Sequence, residues 1–238
     1  MRLLQKVTSL IWKYRSQART ALTPVEAREK IVRDFHQLYY DLGPQGGTWG
    51  DTRWFGVRAG KCPLDLWLYQ EILFELKPDL ILETGTAEGG SALFFGAMCD
   101  LLGKGRIISV DVDARPKPAH PRVTYLLGSS TAPEIISQLE TARASAKTCL
   151  VVLDSDHSKG HVLDELRIYQ RFVSAGSFLI VEDTNVNGHP VFDEHGPGPM
   201  EALDVFLKET QDYVIDESKH KFLLTFNPRG YLRRVRGG

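Results

Sequence analysis

The stretch "DLILETGTAEGGSALFF", residues 79–95, holds the strand, turn and helix start that decide the fold. Leu80, Ile81 and Leu82 form an unbroken apolar run, the pattern of a strand covered on both faces. Gly85, Gly89 and Gly90 then allow a tight turn into an apolar helix that ends at Gly103.

The same alternation continues along the chain. "RIISVDV" (106–112), "RVTYLLG" (122–128), "TCLVVLD" (148–154) and "SFLIVED" (177–183) read as strands. "APEIISQLETARAS" (132–145) and "GHVLDELRIYQRFV" (160–173) read as helices, as does a segment near 199–211. "YVIDE" (213–217) adds a strand, and "FLLTFNPRGYLRRV" (222–235) reads as a hairpin turning at Asn227–Gly230. Buried strands separated by helices predict an α/β fold, a Rossmann-like doubly wound, mostly parallel sheet. Residues 1–75 read as an N-terminal helical and loop extension, and 76–238 as the sheet domain.

Composition narrows the classes. The chain has 238 residues, of which 42% are hydrophobic and 25% charged, as in ordinary globular proteins. A net charge of −1 offers nucleic acid no global attraction. Cys62, Cys99 and Cys149 are scattered and odd in number, which fits a reducing, cytoplasmic setting and no zinc site. The apolar runs are strand-sized, too short to span a bilayer. The start, "MRLLQKVTSLIWKYRSQARTAL", makes a poor signal peptide. It places Leu3, Leu4, Val7, Leu10, Ile11 and Tyr14 at helical spacing among Arg2, Lys6, Lys13, Arg15 and Arg19. A basic amphipathic helix of this kind packs on the body or another subunit, or makes peripheral contact with a membrane. A homo-oligomer is expected.

In a parallel sheet, ligands bind beyond the carboxyl ends of the strands. Acids gather there: Glu83, Asp111, Asp154 and the pair Glu182–Asp183. "ETGTAEGGS" (83–91) offers Glu83, Gly85, Thr86, Gly89, Gly90 and Ser91 to a ligand over the first strand. Ala87 fills the middle position of a G-x-G-x-x-G pattern, so a dinucleotide is one reading. Glu83 opposes it, because a pyrophosphate would meet a negative charge, whereas a cationic sulfonium with an amino-acid tail would welcome one. Asp111 can accept hydrogen bonds from ribose hydroxyls in either case.

The turn and the acid after the second strand resemble the nucleotide half of class I S-adenosylmethionine (SAM) methyltransferases, which carry E-x-G-x-x-x-G. Gly128 and Ser129 follow the third strand, where that superfamily contacts adenine; the acid many members carry there is absent. With SAM over the first two strands, the fourth and fifth form a floor for the acceptor. Asp154, Glu182 and Asp183 converge there, and a hard divalent cation removes their mutual repulsion. All-oxygen ligands favour Mg²⁺. A metal on an acceptor hydroxyl lowers its pKa, and His157 takes the proton. Asp156 is a rival ligand or a partner of that histidine.

Three longer pieces resemble one narrower family, the cephalosporin hydroxylase-like proteins, which include rhamnosyl and other sugar O-methyltransferases. They are "PLDLWLYQEILFELKPDLILETGTAEGGSALFF", "VVLDSDHSKGHVLDEL" and "LIVEDTNVNGHPVF", the last followed by "GPGPMEAL". The resemblance spans roughly residues 49–210 and implies a SAM- and Mg²⁺-dependent O-methyltransferase. It puts the metal on Asp154, Glu182 and Asp183, with His157 as base and Asp154 beside it in the chemistry. The Gly- and Pro-rich segment 185–199 reads as an acceptor lid, with Asn185, Asn187 and His189 for sugar hydroxyls. Trp49, Arg53, Trp54, Lys61 and Trp67 are candidates for the opposite wall or for the packing of the extension. The acceptor is a small molecule or glycan.

Two other classes use part of this set. An Fe(II)/2-oxoglutarate oxygenase needs two histidines and a carboxylate on one face, with Asp156, His157 and His189 nearest to that. A nicotinamide-dependent oxidoreductase fits the glycine turn, but no proton-relay set stands apart from the residues already used.

Overall fold

The computed structural model describes residues 2–236, with side chains from residue 5 onward. The side chains of Arg2, Leu3 and Leu4, counted above in the N-terminal pattern, lie outside the described residues.

Seven strands form one sheet: β1 (Leu80–Thr84), β2 (Arg106–Asp111), β3 (Val123–Leu127), β4 (Cys149–Leu153), β5 (Phe178–Val181), β6 (Tyr213–Ile215) and β7 (Tyr231–Arg234). Their order is β3-β2-β1-β4-β5-β7-β6. The pairs among β1 to β5 are parallel; β7 runs antiparallel to both β5 and β6. Every residue of β1, β4 and β5 is buried, as continuous apolar runs require.

Alternation along the strands sends side chains to two separate cores. Leu80, Leu82, Val151, Leu153, Leu179 and Val181 face α5 (Pro133–Ala144), α6 (Lys159–Tyr169) and α7 (Pro199–Glu209). Ile81, Leu150, Val152, Phe178 and Ile180 face α3 (Pro63–Leu76) and α4 (Gly90–Leu102). Helix α3 thus covers one face of the sheet, so the packing unit begins before residue 76. The three cysteines are buried and unpaired.

Two helices, α1 (Arg2–Leu22) and α2 (Val25–Asp41), precede this unit. His36, Tyr39 and Tyr40 of α2 pack against Phe226, and the His36 ring stacks on it at 5.6 Å. The expected hairpin over 222–235 does not form: only 231–234 is strand, paired with β5 and β6. Its first half is held instead by the buried Asp65 of α3. That carboxylate accepts from Thr225 Oγ1 (2.5 Å), the Phe226 amide (2.8 Å) and Tyr231 Oη (2.8 Å). A remote carboxylate thereby outcompetes the cross-strand pairing that the apolar run suggests.

Candidate functional site

The strand ends open into a cleft of about 710 Å³. Gly85, Asp111, Gly128 and Ser129 line one half, and Asp154, His157 and Asp183 the other. Strand parity explains part of this. Glu83, Asp154 and Glu182 continue the side of Ile81, Val152 and Ile180, so they emerge on the α3–α4 face.

In the first half, Gly85 has φ +80°, and a Cβ there would collide with the Asp154 carbonyl. At Gly90 a Cβ would strike the Arg58 carbonyl. These two positions need glycine for the chain's own packing, and only Gly85 also borders the cleft. Ala87 donates its amide to Asp111 Oδ2 (2.7 Å) and Asp113 donates to Oδ1 (2.8 Å), which fixes the Asp111 carboxylate at the cleft edge.

Glu83 and Thr86 lie beneath the turn rather than in the cleft. Ser109 Oγ donates to Glu83 Oε2 at 2.5 Å, and the Thr86 hydroxyl lies 2.6 Å from Ser109 Oγ. Burial pushes the Glu83 carboxyl up to about 7, against the pull of Lys61, Ser109 and Ser91. Its Oε1 is buried and has no hydrogen-bond partner among the described residues. Ser91 and Gly89 are also set back from the cleft.

In the second half, Asp154, His157 and Asp183 bring ligand atoms within 4.8 Å of one another, the one such group of His, Cys, Asp or Glu among the described residues. His157 Nδ1 lies 3.1 Å from Asp183 Oδ2, and Nε2 lies 3.5 Å from Asp154 Oδ1. Burial favours the neutral ring, but Asp183 and Asp154 outweigh it and hold the imidazole at about 9. Burial likewise raises Asp154, yet Lys61 and His157 bring that carboxyl below its ordinary value.

Glu182 is placed differently from the expectation. Its Oε1 accepts from Tyr69 Oη (2.8 Å) and its Oε2 pairs with Lys61 Nζ (2.8 Å). The Lys61 ammonium, 3% exposed, also pairs with Asp154. Lys61 therefore is no wall residue but a buried cation between two acids at the strand ends. Asp156 lines the cleft but stands outside this group, and accepts from the Ser158 amide (2.7 Å) at the start of α6.

The three expected acceptor contacts all have structural partners, and none lines the cleft. Asn185 is fully buried, 3.0 Å from His36 Nε2. Asn187 Nδ2 (2.8 Å) and His189 Nε2 (2.9 Å) both reach Glu201 Oε1, while the Gly198 amide donates to Oε2 (2.7 Å). Polar side chains in a Gly- and Pro-rich segment secure the segment itself before they serve a ligand. Of the five candidate wall residues, Trp49 alone borders the cleft. Trp54 packs edge-on against Phe94, Arg53 pairs with Asp51, and Trp67 is exposed. Sequence reasoning passed over His161, which lines the cleft with Nε2 3.1 Å from both Ser130 Oγ and Ser155 Oγ and 3.4 Å from the buried Glu165. The i, i+4 spacing of His161 and Glu165 on α6 was the available signal.

A 3-2-1-4-5-7-6 sheet with an acid-lined cleft at its carboxyl edge is the class I methyltransferase fold. More narrowly, the chain belongs to the rhamnosyl O-methyltransferase/CmcI family, whose model matches residues 47–235. A rhamnosyl O-methyltransferase of Mycobacterium leprae (strain TN) is 38% identical over 213 residues, 87% of this chain and 91% of that one. A solved CmcI structure with Mg and SAM superposes at TM-score 0.61 with 21% identity, covering 78% of this chain and 77% of its own. The MycE methyltransferase of the mycinamycin biosynthetic pathway, with Mg and SAH, gives 0.51 with 15% identity, covering 72% of this chain and 50% of its own.

Proposed function

We propose that the chain transfers the methyl group of SAM to a hydroxyl of a sugar or glycosylated small molecule, with Mg²⁺ at the acceptor side. The observation that carries this reading is the adjacency in one cleft of the Gly85–Asp111–Ser129 edge and the Asp154–His157–Asp183 group. The relatives' names support methyl transfer to a rhamnosyl oxygen, and the CmcI and MycE complexes support the cofactor pair.

The residues present fit both groups. Asp111 is already aimed by two amides, and Gly85 leaves the turn bare at the cleft. The Glu83 carboxyl, beneath the turn and with Oε1 free of hydrogen bonds among the described residues, is raised to about 7 by burial, and a cationic ligand above it favours the ionised form. Two carboxylates and an imidazole within 4.8 Å, backed by Glu182, suit a divalent ion with a preference for oxygen. Asp154 and Asp183 would hold it directly, and Glu182 would join them only on loosening from Lys61. When bound, SAM supplies an electrophilic methyl and Mg²⁺ acidifies the acceptor hydroxyl. His157 accepts that hydroxyl's proton as general base. It does so only when neutral, and positive charge placed between Asp154 and Asp183 lowers its pKa. Trp49 offers the acceptor an aromatic wall. The 185–199 segment is tied down through Glu201 and His36, and its 190–194 part borders a neighbouring pocket that shares Trp49 with the cleft.

The oxygenase reading loses its ligand set, since Asp156 and His189 lie outside the one metal-binding group among the described residues. Incubation with methyl-labelled SAM and a rhamnosyl glycoside tests the proposal. Label should appear in the glycoside, stop with chelator and return with Mg²⁺. Transfer that persists in chelator would remove the metal from the mechanism.

A further inference from the structure

We propose that α1 docks the protein on an anionic phospholipid bilayer. Val7, Leu10, Ile11 and Tyr14 share one face of α1 at the i, i+3, i+4, i+7 spacing. They are 49%, 57%, 48% and 65% exposed, so the described residues leave this face largely uncovered. Helix geometry sets Lys6 and Lys13 along one border of the face and Arg15 and Arg19 along the other.

Charge selects the occupant. No acid precedes Glu26, and with Arg2 the segment holds five cations. The whole chain is −1, so the remainder is net −6. Such a molecule is bipolar: an anionic surface attracts α1 and repels the body, which orients the protein on the membrane. A second copy of α1 on the same face would bring like charges together. No described helix is long and apolar enough to cross a membrane, so α1 lies in the interface instead of spanning it. The inference stands apart from the methyl-transfer reading, because α1 contributes no residue to the cleft.

Co-sedimentation of the full chain with vesicles tests it, comparing pure phosphatidylcholine with equal parts phosphatidylcholine and phosphatidylglycerol. The protein should pellet with the anionic vesicles and stay in solution with the neutral ones. Leu10→Glu or Ile11→Glu should abolish pelleting, and Lys13→Gln should weaken it roughly fivefold. These positions are exposed, so the body should keep its circular dichroism and melting curve. Equal binding to both vesicle types, no binding, or binding indifferent to Leu10→Glu would overturn the proposal. So would a Leu10→Glu chain of lower mass by light scattering without vesicles, since the face would then join copies of the chain.

Discussion

Lys61 places its ammonium 2.8 Å from Glu182 Oε2 while also pairing with Asp154, and it does so almost out of reach of water. A buried cation thus joins the ends of β4 and β5 from a loop that precedes α3. The half-buried Asp154 and the buried Glu182 both pair with it, and burial and Asp154 already push the Glu182 carboxyl well above its ordinary range.

Lys61→Met removes that balance without much change in side-chain volume. Breaking one side of a buried ion pair costs about 3–5 kcal/mol. Denaturant unfolding of the metal-free variant should show a loss of that order. Millimolar Mg²⁺ should restore stability more in the variant than in the native chain, because Glu182 then lacks the ammonium it pairs with. A variant as stable as the native protein without Mg²⁺ would show that Lys61 is not what holds the acids.

His157 carries a pH signature. Its imidazole is raised to about 9 from an ordinary value near 6.5 by Asp183 and Asp154. A raised value means that the native state holds the proton more tightly than the unfolded chain does. Its stabilisation is therefore full below pH about 6.5 and is lost as pH climbs through about 9. Melting temperatures of the metal-free protein should fall across that window, and His157→Asn should flatten the fall. Parallel curves for both proteins would contradict the geometry.

His36 has the opposite sign. Burial lowers its imidazole to about 4, so the ring is neutral where it stacks on Phe226 and meets Asn185. The unfolded chain binds the proton more tightly, so this stabilisation is present above pH about 6.5 and lost as pH falls toward about 4. Limited proteolysis should release α1 and α2 progressively over that range while the sheet persists. Unchanged cleavage from pH 7 to pH 4 would count against it.

The 185–199 segment should behave as one unit. Asn187, His189 and the Gly198 amide share Glu201, whose carboxyl they hold at about 2 against the effect of burial. Glu201→Ala and His189→Ala should raise KM for the acceptor by similar factors, with the double variant little worse than either. Additive effects would show that His189 touches the acceptor by itself.

The fold and the acid placement were legible because both follow from short-range periodicity. Alternation in "DLILET", "TCLVVLD" and "SFLIVED" already puts Glu83, Asp154 and Glu182 on one side of the sheet. Their partners were not legible, since each comes from far along the chain. Lys61 reaches Asp154, Asp65 reaches Thr225, and His36 reaches Asn185 only after the helices pack. Glu201 was closer to reading: a Glu three residues past Gly198, with Pro199 between, is a helix-start signature, and such a residue draws nearby donors to itself.

Calorimetric titration of SAM and then Mg²⁺ into the native chain and into Asp154→Asn/Asp183→Asn measures the two halves of the cleft separately. SAM should bind both proteins with similar affinity, and Mg²⁺ should bind the native chain alone. Binding of NADH in place of SAM, or Mg²⁺ uptake undiminished in the double variant, would contradict this expectation.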